Sequence, residues 1–144
     1  MRKSSLMILT IAITTIILTT QASAAVVEAR YVRTNSEGHS QAYTAPLDGR
    51  EASIRGIVGI MASIHLQGRH DVTFTWWRDG SIVARHNRNG WTGRASHQPF
   101  ADLDHPSVPS SQRGKLEPIR AGRYSVKIAV DGDVRKQASF TLVP

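Results

Sequence analysis

Val72-Thr73-Phe74-Thr75-Trp76-Trp77-Arg78-Asp79-Gly80-Ser81-Ile82-Val83-Ala84-Arg85-His86 reads as two extended runs on either side of a turn. Val72, Phe74 and Trp76 fall on one face of the first run, and Thr73, Thr75 and Trp77 on the other. That period of two, carried by β-branched and aromatic side chains, predicts a half-buried strand. Asp79-Gly80 supplies the positive φ that a tight hairpin turn demands, so Ile82 to His86 returns as a second strand. Trp76 is in register with Val72 and Phe74 and is expected in the core. Trp77 shares its side with threonines and is expected at a surface where it can meet a partner.

The C-terminus repeats the device. Tyr124, Val126, Ile128 and Val130 alternate with Ser125, Lys127 and Ala129, Asp131-Gly132 turns the chain, and Ala138, Phe140 and Leu142 return on one side. Further strands are expected at 26–33 and within 54–66, where Gly56 and Gly59 argue against a helix and for a bulge or close backbone packing. Residues 95–122 hold Pro99, Pro106, Pro109 and Pro118 and are expected to form a long irregular loop. Several short strands joined by hairpins, with no helical period, predict an all-β fold, an antiparallel β-sandwich.

Upstream of the strands, Arg2 and Lys3 precede an apolar run from Leu6 to Leu18, followed by Ala22-Ser23-Ala24. These are the parts of a signal peptide, expected at 1–24 and cleaved to start the mature chain near Ala25. The apolar run is shorter than the roughly 20 residues that cross a bilayer, so no transmembrane segment is expected after cleavage. Residues 25–144 are then one domain in the periplasm or outside the cell. The chain contains no cysteine, so thiol chemistry and disulfides are excluded and packing must hold the fold. Of 18 basic residues two lie in the leader, which leaves 16 against 11 acidic residues, a net charge of +5. Arginine predominates among them, and its planar fork suits phosphate, sulfate or carboxylate partners.

From Val72 onward the chain resembles the immunoglobulin-like or fibronectin-III-like domains of exported bacterial proteins. The resemblance is carried by Trp76-Trp77-Arg78-Asp79-Gly80, Gly90-Trp91 with Arg94 and Ser96, Ala121-Gly122-Arg123-Tyr124-Ser125-Val126, Asp131-Gly132 and Ser139-Phe140. It covers about half of the chain. It implies an immunoglobulin-like sandwich in an extracytoplasmic setting, and it implies no catalytic residues.

Among the remaining patterns, 85–94 interleaves Arg85, Arg88 and Arg94 with Trp91 and two glycines. Read as a loop, it pairs bidentate cations with a stacking ring, a combination suited to an anionic polymer. With Trp77, these four are the candidate binding residues. Neither His65 with His70 nor Asp102, Asp104 and His105 has metal-ligand spacing. No Gly-x-Ser-x-Gly, paired-carboxylate or phosphate-loop motif is present. A non-enzymatic binding or accessory module of the bacterial envelope is therefore expected, without cofactor or metal. Its partner would be a protein or an anionic envelope polymer, with no intracellular nucleic acid. The alternative is a basic polyanion-binding surface protein that takes lipopolysaccharide, teichoic acid or extracellular DNA, and a small metal-dependent hydrolase is the third reading.

Overall fold

The structure, a computed structural model, describes residues 23–34 and 36–144. The expected leader over 1–24 falls almost wholly outside the described residues. Eight strands and one short helix follow in the order β1 (Ser23–Thr34), β2 (Ser40–Pro46), β3 (Glu51–Ser53), β4 (Ile57–Arg78), β5 (Ser81–Ala101), α1 (Ser110–Arg113), β6 (Glu117–Pro118), β7 (Gly122–Val130) and β8 (Asp133–Val143). The chain is all-β. No helix among the described residues is long and apolar enough to cross a membrane.

Both Asp-Gly pairs turn hairpins as their chemistry requires. Asp79 and Gly80 have φ of 50° and 83°, Asp131 and Gly132 of 52° and 85°, and each pair is the two-residue loop between directly paired strand ends, Arg78 with Ser81 and Val130 with Asp133. Positive φ at both central positions matches the right-handed twist of the flanking strands.

β4 organises everything else. Its first half pairs with β1, its second half pairs with β7, and its opposite edge follows β5 over nearly its whole length. The expected separate strands at 54–66 and 72–77 are thus one strand. It bends where the β4–β5 register slips twice, between Leu66 and His70 and between His70 and Val72. Gly68 on β4 and Gly90 and Gly93 on β5, all at positive φ, supply the bend, because bulges kink a strand and sharpen its twist. The sheet therefore curls until its two halves share one core. Phe100, from the first half, meets Trp76 and Tyr124 of the second edge to face, with ring centroids 5.4 and 5.1 Å apart. Val27, Ala29, Ile60, Ala62 and Ile64 pack into the same cluster as Val72, Phe74, Val126, Ile128, Phe140 and Leu142.

Away from β5, the segment 47–50 ties β1 to β8. The Asp48 carboxylate accepts the Val27 N–H at 3.0 Å and lies 3.6 Å from the Lys136 ammonium, while the Gly49 N–H donates to the Ser139 carbonyl at 2.8 Å.

Three expectations are corrected. The sheet is mixed rather than purely antiparallel, because β3 runs parallel to β8 and β6 parallel to β5. The irregular loop over 95–122 starts only after Ala101, since β5 continues through Pro99. That proline sits where the β4–β5 register shifts, at a strand edge, and a residue without an N–H costs no ladder bond there. Finally, 85–94 is strand, with its glycines serving as bulges.

Candidate functional site

Strand parity sorts the candidate residues. Trp76 is fully buried and Trp77 half-buried, and their partners on β7, buried Val126 and half-exposed Ser125, repeat the split. The outer face of β5, β4, β7 and β8 is accordingly a polar surface around one indole. A row crosses it from Arg85 through Thr75 and Lys127 to Gln137, so Arg85 and Lys127 stand two strand spacings apart, roughly 10 Å. The Lys127 ammonium lies 5.2 Å from the Trp77 ring centroid, within cation–π range.

A shallow groove of about 670 Å³ opens beside that ring. Trp77, Arg50, Arg123, Lys127, Ser139 and Thr141 line it, and Glu51 is its single carboxylate among the lining residues. Arg123 and Lys127 come from β7, and Arg50 from the segment that leads into β3. Arg50 is held beside β8 by its carbonyl, which accepts the Thr141 N–H at 2.9 Å, and Arg123, second in β7, donates its N–H to the Asp79 carboxylate at 2.9 Å. No protein-family model matches the chain, and no curated protein is significantly similar to it. The resemblance to immunoglobulin-like domains therefore stands on its residues alone, and the site has to be read from its own chemistry.

Arg88, Trp91 and Arg94 lie elsewhere. Arg88 is opposite Val72, on the core side of β5, and its guanidinium carbon is 4.9 Å from the Trp91 ring centroid. The Trp91 indole N–H donates to the Arg94 carbonyl at 2.9 Å, while the Arg94 guanidinium turns to the Ser63 hydroxyl at 3.3 Å. Arg85, Arg88 and Arg94 thus point to different surfaces and do not form one grip. Parity separates Arg85 from Arg88, and the two bulging glycines separate Arg88 from Arg94. Trp77 and Arg85 share the outer face, whereas Arg88 and Trp91 form a stacked pair at the fold-over of β5.

The same fold-over brings together two histidines that are eleven positions apart on one strand. His86 and His97 stack with ring centroids 4.7 Å apart and planes 16° from parallel. The Trp76 indole N–H donates to His97 Nδ1 at 3.0 Å, which fixes the neutral ring with its proton on Nε2. Burial, then the neighbouring His86 and Arg88, pushes His97 down to about 4. Burial and Arg88 also lower His86. His86 Nε2 and Arg88 Nε are both buried without a hydrogen-bond partner.

At the bend of β4, His70 Nδ1 contacts an Asp131 carboxylate oxygen at 2.6 Å and its Nε2 contacts the Gln67 carbonyl at 2.9 Å. Both partners are acceptors, so the ring is held as a two-donor imidazolium. Its pKa is raised, chiefly by the Asp131 hydrogen bond, and that of Asp131 is lowered by the same contact. A ring with both nitrogens occupied has no lone pair to act as a base. Asp131 also accepts the Asp71 N–H, and Asp71 accepts that of Gly90, so the cluster clamps the bend. Among the described residues no three His, Asp or Glu side chains gather as metal ligands. His105 Nδ1 instead contacts the Ser107 hydroxyl at 2.7 Å.

Sequence reasoning missed Arg123 and Lys127 on β7, Arg50 from the distant segment before β3, and the His86–His97 stack. Only alternation in 122–130, which sets both Arg123 and Lys127 opposite the core positions, was a usable signal.

Proposed function

We propose that this chain is an exported, non-enzymatic binding module that holds an acidic polymer of the cell envelope on its outer sheet face. The observation that carries this reading is the groove that Trp77, with Lys127 against its ring, lines together with Arg50 and Arg123 and a single carboxylate. An exposed indole edge offers apolar area to a sugar ring, the hydroxyl-bearing Ser139 and Thr141 can exchange hydrogen bonds with polyol groups, and three cations hold carboxylate or phosphate repeats. Export rests on the leader pattern. The immunoglobulin-like sandwich reading is supported by the shared core of the two curled halves and by Tyr124, whose hydroxyl donates to the Arg120 carbonyl at 2.7 Å, as in a tyrosine corner.

Titrating the purified protein with polygalacturonate, poly(glycerol phosphate) and a neutral glucan, with Trp fluorescence as the readout, tests the proposal. The acidic polymers should bind, the glucan should not, and affinity should fall steeply with salt. Trp77→Ala combined with Lys127→Ala should weaken binding at least about tenfold, a loss near 1.4 kcal/mol, without changing the circular dichroism spectrum. Unaltered binding in that variant would sink the reading.

A protein partner is the second reading, favoured by one observation. Beyond β4, β5 pairs only at Phe100 and Ala101 with β6, so the described residues leave its edge from Ser81 to Pro99 open to an added strand. Proline substitution at Asn87, on that edge, should then abolish partner capture from an envelope extract and leave polymer binding intact.

A further inference from the structure

The inner rim of β5 has a chemistry of its own. His86 and Arg88 stand two residues apart on the core side of the strand, opposite Phe74 and Val72, and the bend delivers His97 onto His86. Around the two rings the interacting charges are Arg88 and, for His97, also His86. This is a partly buried group of one permanent cation and two imidazoles. The Arg88 guanidinium packs over the Trp91 ring, its carbon 4.9 Å from the ring centroid. Two of its polar atoms, Arg88 Nε and His86 Nε2, are buried and unpartnered, and a buried donor without an acceptor is costly. The Trp76 bond leaves the Nε2–H of His97 as a donor beside the Nε–H of Arg88.

We propose that His86, Arg88 and His97 form a binding site for a small tetrahedral oxyanion of the phosphate or sulfate class. The guanidinium supplies the charge, and its Nε–H is a donor that the protein leaves unused. The rings stack with centroids 4.7 Å apart and planes 16° from parallel, so N–H groups on the two rings lie at two levels, which suits the out-of-plane oxygens of a tetrahedral anion better than a flat carboxylate. An oxyanion lodged there satisfies the two orphaned atoms and favours the protonated form of both imidazoles, for His97 in competition with the Trp76 N–H that its Nδ1 accepts. The site is on the opposite side of the sheet from Trp77 and Lys127 and does not depend on the polymer reading.

The test is a proton NMR titration of the histidine ring protons in the full chain, in chloride and then in chloride with increasing inorganic phosphate at constant ionic strength. Phosphate should move the His86 and His97 midpoints upward in a saturable way and leave His39, His65 and His105 in place. Arg88→Gln should remove the displacement, and so should His86→Gln, while Lys127→Ala should not affect it. Failure in Lys127→Ala alone would transfer the anion to the outer groove and overturn this site. Midpoints that do not move, that move equally with acetate, or that still move in both Arg88→Gln and His86→Gln would also overturn it.

Discussion

The indole N–H of Trp76 donates to Nδ1 of His97 at 3.0 Å, joining the centre of the second half of β4 to the far end of β5. A buried indole must find an acceptor for its N–H, and here the acceptor is a neutral imidazole whose own ring stacks on His86. Core packing and the protonation state of His97 are therefore coupled.

That coupling predicts acid sensitivity. His97 has a folded-state pKa of about 4, below its ordinary value of 6.5, so the unfolded chain binds this proton more readily than the folded one. The stability it contributes is complete above 6.5 and is lost as pH falls from there through about 4. His97→Gln, which can still accept the Trp76 N–H, should flatten urea stability over this window. His97→Phe should flatten it too but orphan the indole, at a cost of about 1–3 kcal/mol at pH 7.

At the bend, the linkage has the opposite sign. His70 has a raised pKa because of Asp131, so its contribution is full below the ordinary histidine value and is lost as pH rises through the raised one. Asp131→Asn keeps a residue that tolerates the φ of 52° but removes the carboxylate. The His70 midpoint, followed by NMR, should then fall toward its ordinary value, and the alkaline loss of stability should disappear.

Trp76 and Trp77 are adjacent, yet their replacement by alanine should have unequal effects. Trp76→Ala empties a fully buried site and should cost roughly 3–5 kcal/mol in urea unfolding. Trp77→Ala removes a half-buried ring and should cost far less while weakening polymer binding. Equal losses would show that the outer face is covered.

Gly122 adopts φ of 151°, and a Cβ there would stand 2.8 Å from an Asp79 carboxylate oxygen, the carboxylate that accepts the Arg123 N–H. Gly122→Ala should cost about 1–3 kcal/mol through strain and the displaced carboxylate. In Gly80→Ala only the positive φ is at issue, because the added carbon meets open space, so the smaller loss is expected there.

The features legible in the residues alone are local. Alternation assigned Trp76 to the core and Trp77 to the opposite face, and Asp79-Gly80 and Asp131-Gly132 specified two-residue turns, because side-chain direction and positive φ depend on immediate neighbours. Tertiary structure decided the rest. Proline content made 95–101 read as a loop, but pairing with β4 holds it as strand, since a strand edge and a register shift tolerate a missing N–H. Three arginines clustered in 85–94 were dispersed by parity and by the bulges at Gly90 and Gly93. Arg50 was brought beside Arg123 and Lys127 of β7 by the pairing of its segment with β8, and His86 and His97 were stacked by the bend. Each of these depends on which backbone hydrogen bonds form between segments far apart in the chain, and such pairings are selected by burying one shared core rather than by any residue's neighbours.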